Sequence, residues 1–173
     1  MKKFIWLLAV KVVAVAALIG VVVYTMMPAS AAELKPYEGA TPALKLNSLQ
    51  GSAVDLEQFK GKLVMVQFWA TYCTPCRVEM PSMNRLQTKL GKNFVILAVD
   101  MGEGVDEVQQ FVDEVKPEFT ILMDEDGSAL AEWKVFAAPA TFIVDPAGKI
   151  QYTMFGATEW DEEEIVDQLK SLM

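Results

Sequence analysis

Apolar positions along this chain fall into short unbroken runs separated by stretches with helical spacing. Residues 63–69 (LVMVQFW) are almost continuously apolar and bounded by Gly61, which predicts a strand buried on both faces. In residues 73–90 the apolar positions Val78, Met83, Leu86 and Leu90 recur at helical spacing before Gly91, and Pro81 lies inside, so a helix kinked near Pro81 is expected. Residues 93–100 (NFVILAVD) predict a second buried strand, and a crossover of this length implies parallel pairing with a right-handed connection. Val105, Val108, Phe111, Val112 and Val115 mark an amphipathic helix ending before Pro117.

Further along, residues 119–123 read as a short strand and 128–135 as a short helix. Residues 140–144 and 149–155 flank Asp145-Pro146-Ala147-Gly148, a turn signal that predicts an antiparallel hairpin. Ile165, Val166, Leu169 and Leu172 predict a closing helix, with Thr158 and Asp161 as a T-x-x-D cap ahead of it. Upstream, residues 43–49 and 53–56 around Gln50-Gly51-Ser52 read as an additional hairpin. These elements add up to an α/β domain, a mixed sheet with helices on both faces.

The first 32 residues differ from the rest. Lys2, Lys3 and Lys11 precede the apolar run 12–24 and the small residues Ala29, Ser30, Ala31 and Ala32, the order of a secretory signal. Counting the apolar segment from Phe4 gives roughly 20 residues, enough for a retained membrane anchor. Under either reading the remainder crosses the membrane and works on its extracytoplasmic, periplasmic face. Residues 33–42, with Pro36, Gly39 and Pro42, read as a linker, and 43–173 as one domain.

The full chain has 15 basic and 23 acidic residues, and the part after residue 32 is more acidic still because the leader holds three lysines and no acid. Nucleic acid, a polyanion, is excluded as a natural partner. Solubility accounts for the acidity.

Two cysteines and no histidine are present. Cys73 and Cys76 stand three apart, between a buried strand and the helix that begins there. A disulfide so short restrains little chain, so chemistry explains the pair better than stapling. A zinc site needs about four ligands, and neither a second cysteine pair nor a histidine exists. Arg77 stands where c-type haem attachment requires histidine. At a helix N-terminus the free N–H groups and the dipole favour the thiolate of Cys73, which makes it the expected nucleophile, with Cys76 resolving the mixed disulfide. Pro75 suits the first turn.

The segment FWATYCTPCR, Pro81 eight residues after Cys73, and Ala138-Pro139-Ala140-Thr141-Phe142 before the last hairpin resemble the thioredoxin superfamily. The leader, the 43–56 hairpin, CRVEMP at 76–81 and the extra helix at 105–115 resemble its ResA/TlpA branch of membrane-linked bacterial disulfide reductases. The resemblance implies a thioredoxin fold with an N-terminal hairpin extension and one inserted helix. It implies a cis Pro139 facing the disulfide, with the Ala138 backbone available to an extended client. Trp69, Tyr72, Thr74 and Pro75 are expected to shape the client surface around Cys73. Glu79, one turn after Cys76, is expected to take a proton from the second thiol if burial raises its pKa. Cytoplasmic thioredoxins carry a buried aspartate where this chain has Gln67, which cannot titrate.

The branch implies disulfide-containing clients, apocytochrome c among them, and electrons supplied by a thiol-transferring membrane protein. No cofactor is expected, since no flavin or nicotinamide fingerprint occurs. An oxidase or isomerase of the same fold remains open, because direction depends on reduction potential. A copper-binding factor using Cys73, Cys76 and a methionine is disfavoured by the short cysteine spacing and the missing histidine, and Met80 and Met83 read as core. A peroxidase is disfavoured because Val66 and Ala70 occupy the proline and threonine positions of the peroxidatic motif.

Overall fold

In the computed structural model, which describes residues 33–173, Leu63–Trp69 is buried at every position and forms the central strand β4. Its side chains alternate between two apolar layers, as the period of a strand requires. Leu63, Met65 and Trp69 point into one core; Val64, Val66 and Phe68 point into the other. The leader readings for residues 1–32 lie outside the described residues. Among the described residues no helix is long and apolar enough to cross a membrane.

The elements run β1 (Lys35–Pro36), β2 (Lys45–Ser48), β3 (Ala53–Asp55), β4, α1 (Thr74–Leu90), β5 (Phe94–Asp100), α2 (Val105–Val115), β6 (Thr120–Met123), α3 (Ser128–Glu132), β7 (Ala140–Val144), β8 (Ile150–Phe155) and α4 (Glu163–Lys170). One eight-stranded sheet has the order β1-β8-β7-β4-β5-β6-β2-β3. Strands β4, β5 and β6 are parallel neighbours, and β7 pairs antiparallel with β4 and β8. The result is a mixed α/β thioredoxin fold. The β2–β3 hairpin extends the sheet beyond β6, and α2 is the inserted helix.

Helices α1, α2 and α4 pack on one face through Met80, Met83, Leu86, Val108, Phe111, Val166 and Leu169. The opposite face is covered by Leu44, Leu56, Ala129, Trp133 and Val135. There Trp133 packs tilted on Phe68 and edge-on to Phe142, with its indole N–H donated to the Ala43 carbonyl at 3.1 Å. A buried indole N–H needs such an acceptor, and the bond fastens the chain just before β2 to that layer.

Two local expectations change, and the helix reading holds in its extent. Residues 35–36, inside the segment read as a linker, pair with β8 at the sheet edge, and the Tyr37 N–H donates to the Gln151 carbonyl at 3.0 Å. Pro36 is tolerated because an edge strand leaves one side of its backbone unpaired. Helix α1 spans Thr74 to Leu90 with Pro81 inside it, as expected, and closes at Gly91, whose φ of 70° lies in the left-handed region that glycine tolerates. The T-x-x-D cap is absent: α4 begins at Glu163 with no side-chain cap. Asp161 instead binds Arg85 of α1 through Nε at 2.8 Å and Nη2 at 2.9 Å, so the acidic approach to α4 joins two helices.

Candidate active site

Strand β4 delivers the chain to the cysteine loop at the end of the sheet. Ala70 accepts the Cys73 N–H at 3.1 Å, which closes a turn, and Cys73 becomes the N-cap of α1. Its Sγ accepts the Cys76 N–H at 3.2 Å, satisfying one of the free donors of the first turn. Cys73 and Cys76 are joined as a disulfide. Cys73 retains 7% exposure and Cys76 none, so an incoming sulfur reaches Cys73 first.

Around the pair, Tyr72, Thr74 and Pro75 are exposed and Ala138 half-buried. The Ala138–Pro139 bond is cis, and Ala138 packs against the core that contains both cysteines. Trp69 does not belong to this surface. It is fully buried, facing α2, with its ring centroid 4.5 Å from that of Phe111. The continuous apolar run concealed which face it would take, and strand alternation sends it under the inserted helix.

Glu79 is 1% exposed, one turn beyond Cys76. Its carboxylate receives the Gln67 side-chain amide at 2.6 Å, the Trp160 indole N–H at 2.9 Å and the Thr158 backbone N–H at 3.3 Å. Burial pushes its pKa up to about 7, against the lowering effect of the Trp160 and Thr158 donors. Ser82 reinforces the arrangement by donating its hydroxyl to the Glu79 backbone carbonyl and accepting the Trp160 backbone N–H. Trp160, fully buried, is therefore both part of the core and a polar partner of Glu79. Only the fold brings residues so distant in the chain together.

A second acidic group, which sequence reasoning missed, sits beside the cysteine loop. Asp100 ends β5 fully buried and accepts the Glu103 N–H at 2.8 Å. Glu103 in turn accepts the Thr71 N–H at 2.5 Å and is bonded to the Thr71 hydroxyl. Burial raises the Asp100 pKa, with the Glu103 carboxyl adding to the rise. The clue in the sequence was an acid closing the apolar run NFVILAVD. Among the described residues no cluster of metal-ligating side chains occurs.

Residues 38–153, most of the chain, match the AhpC/TSA family. The chain belongs to this thioredoxin-like family. Within it, the chain is 33% identical over 132 residues to the thiol-disulfide oxidoreductase ResA of Bacillus thuringiensis subsp. konkukian, covering 76% of this chain and 75% of that one. It is 37% identical over 113 residues to the thioredoxin-like protein YneN of Bacillus subtilis, covering 64% and 66% of the two chains. A crystal structure of a putative thiol:disulfide interchange protein DsbE from Chlorobium tepidum superposes with a TM-score of 0.72 at 29% identity, covering 81% of this chain and 99% of that one. With its cysteine pair, the chain is a thiol–disulfide oxidoreductase of the ResA/DsbE type.

Proposed function

We propose that the enzyme reduces disulfides of exported proteins on the extracytoplasmic face of the bacterial inner membrane, anchored there or released according to the fate of residues 1–32. The Cys73 thiolate attacks one sulfur of the client disulfide. That bond breaks, a Cys73–client disulfide forms, and the other client sulfur leaves as a thiol after taking a proton from water. Cys76 then gives its proton to Glu79 and attacks Cys73 Sγ. The Cys73–Cys76 disulfide forms, and the second client sulfur leaves carrying the other electron pair and takes up a proton.

One observation carries this reading: an accessible sulfur at a helix N-terminus, backed by a fully buried second sulfur and a buried carboxyl whose pKa lies close to neutrality. Tyr72, Thr74, Pro75 and Ala138 supply the client-facing surface, and the buried Pro139, joined to Ala138 by a cis bond, shapes it from behind. The clients are disulfide-containing proteins of the cytochrome c maturation type, with apocytochrome c as the class to test. Two electrons per cycle return from a membrane dithiol protein.

Direction is tested by equilibrating the purified domain with glutathione buffers. A reductase has a potential well below that of a strong oxidant. A value near the roughly −120 mV of strongly oxidising thioredoxin-fold proteins contradicts the proposal.

A further inference from the structure

The Ala70–Thr71 peptide group is held at both ends. Its N–H donates to Glu103 Oε2 at 2.5 Å, and its carbonyl accepts the Cys73 N–H at 3.1 Å. A single peptide group thus separates the Glu103 carboxylate from the backbone of the nucleophilic cysteine. The Thr71 hydroxyl adds a second bond to the same carboxylate. Glu103 is itself fixed from behind, its N–H donated to the buried Asp100 at 2.8 Å. The Met101 N–H also donates to the Trp69 carbonyl at 3.0 Å, so the loop entering α2 grips the cysteine loop on both sides of Ala70.

We propose that Glu103 is a positioning residue that acts on Cys73 through the Ala70–Thr71 peptide, fixing the nucleophile and restraining its thiolate; this rests on Cys73 being the attacking thiol. A charged acceptor polarises the peptide, and hydrogen bonds in such a chain strengthen one another. The same negative charge opposes the stabilisation that the α1 N-terminus gives a Cys73 thiolate. Less stabilisation of the thiolate means less stabilisation of the dithiol state, which favours a reductant over an oxidant. Other charges around the loop do not duplicate the contact. Arg77 on α1 is drawn aside to Glu114 at 3.0 Å and lies over the Phe111 ring, Glu107 caps Gly104 at 2.9 Å, and Glu79 is held by Gln67, Trp160 and Thr158. Asp100 accepts the Glu103 N–H and is bonded to no side chain of the cysteine loop among the described residues.

The test uses Cys76→Ser protein, in which Cys73 is the single thiol, and follows thiolate absorbance against pH. Glu103→Gln retains an acceptor oxygen for Thr71 and removes the charge. It is expected to lower the Cys73 midpoint and raise the thiolate fraction about ten-fold at a fixed pH below it. Glu103→Asp keeps the charge and is expected to hold the midpoint within about two-fold of the parent in thiolate fraction. Thr71→Val, which loses the hydroxyl but keeps the N–H, is expected to do the same. A purely structural role moves the melting temperature of these variants and leaves the midpoint in place. If Glu103→Gln matches the parent within about two-fold, the proposal is overturned. Should Glu103→Gln fail to fold, Glu103→Ala is held to the same criterion. The order of attack is read separately, by trapping with either cysteine replaced, so failure of the titration and failure of the proposed function are distinguishable.

Discussion

Gln67 donates its side-chain amide to the Glu79 carboxylate at 2.6 Å, across the interface between the central strand and the cysteine helix. The resemblance to thioredoxins sets an aspartate against Gln67; here that position is an amide, and the buried carboxylate it binds stands on α1. Gln67 cannot titrate; it positions the carboxylate that the proposed mechanism uses as proton acceptor.

The proposed role of Glu79 gives client reduction a defined pH dependence. Its pKa is about 7, so below neutrality the carboxyl is protonated and cannot receive the Cys76 proton. The rate of mixed-disulfide resolution is therefore expected to rise with pH through about 7. In Glu79→Gln that limb should vanish and resolution should slow by about ten- to a hundred-fold. Stopped-flow tryptophan fluorescence during client reduction reads it; an unchanged profile removes Glu79 from the mechanism.

Trp160→Phe keeps most of the packing and deletes one donor to the Glu79 carboxylate. The ionised form loses support, so the pH midpoint of resolution should move upward. Folding stability should fall by about 1–3 kcal/mol, since a buried polar partner is removed. Urea unfolding together with the pH profile checks both. A midpoint that stays or moves down shows that the indole contact has no bearing on the proton.

Burial also makes the fold pH-sensitive. Glu79 binds its proton more tightly folded than unfolded, so its stabilising contribution is complete below about 4.5 and is lost as pH climbs through about 7. The loss is on the order of 3 kcal/mol by pH 8. Asp100 acts in the same direction, because its pKa is raised as well. Denaturant unfolding of the oxidised domain at pH 4.5 and pH 8 should show the decline, and Glu79→Gln should flatten it. Stability that rises with pH over this range contradicts the burial argument.

The fold was legible wherever burial writes a pattern: LVMVQFW and NFVILAVD announce the central strands, and the turn Asp145–Gly148 announces the β7–β8 hairpin. Strand β1 left no trace, because two residues containing Pro36 have no periodicity to read. Trp69 was placed on the wrong surface because a run apolar on both faces does not declare which side a residue takes. Cys73, Cys76 and Glu79 could be singled out because their relation is local to one helix. Their partners could not. Trp160 meets Glu79, and Glu103 meets Thr71, only through tertiary packing.

The division of labour between the two sulfurs is tested most directly by trapping. Cys76→Ser and Cys73→Ser proteins, reduced and then presented with envelope proteins containing disulfides, are resolved by mass spectrometry under non-reducing conditions. Client adducts linked through Cys73 are expected in the Cys76→Ser protein and few or none in the Cys73→Ser protein. Equal trapping by both, or adducts only through Cys76, would contradict that division of labour.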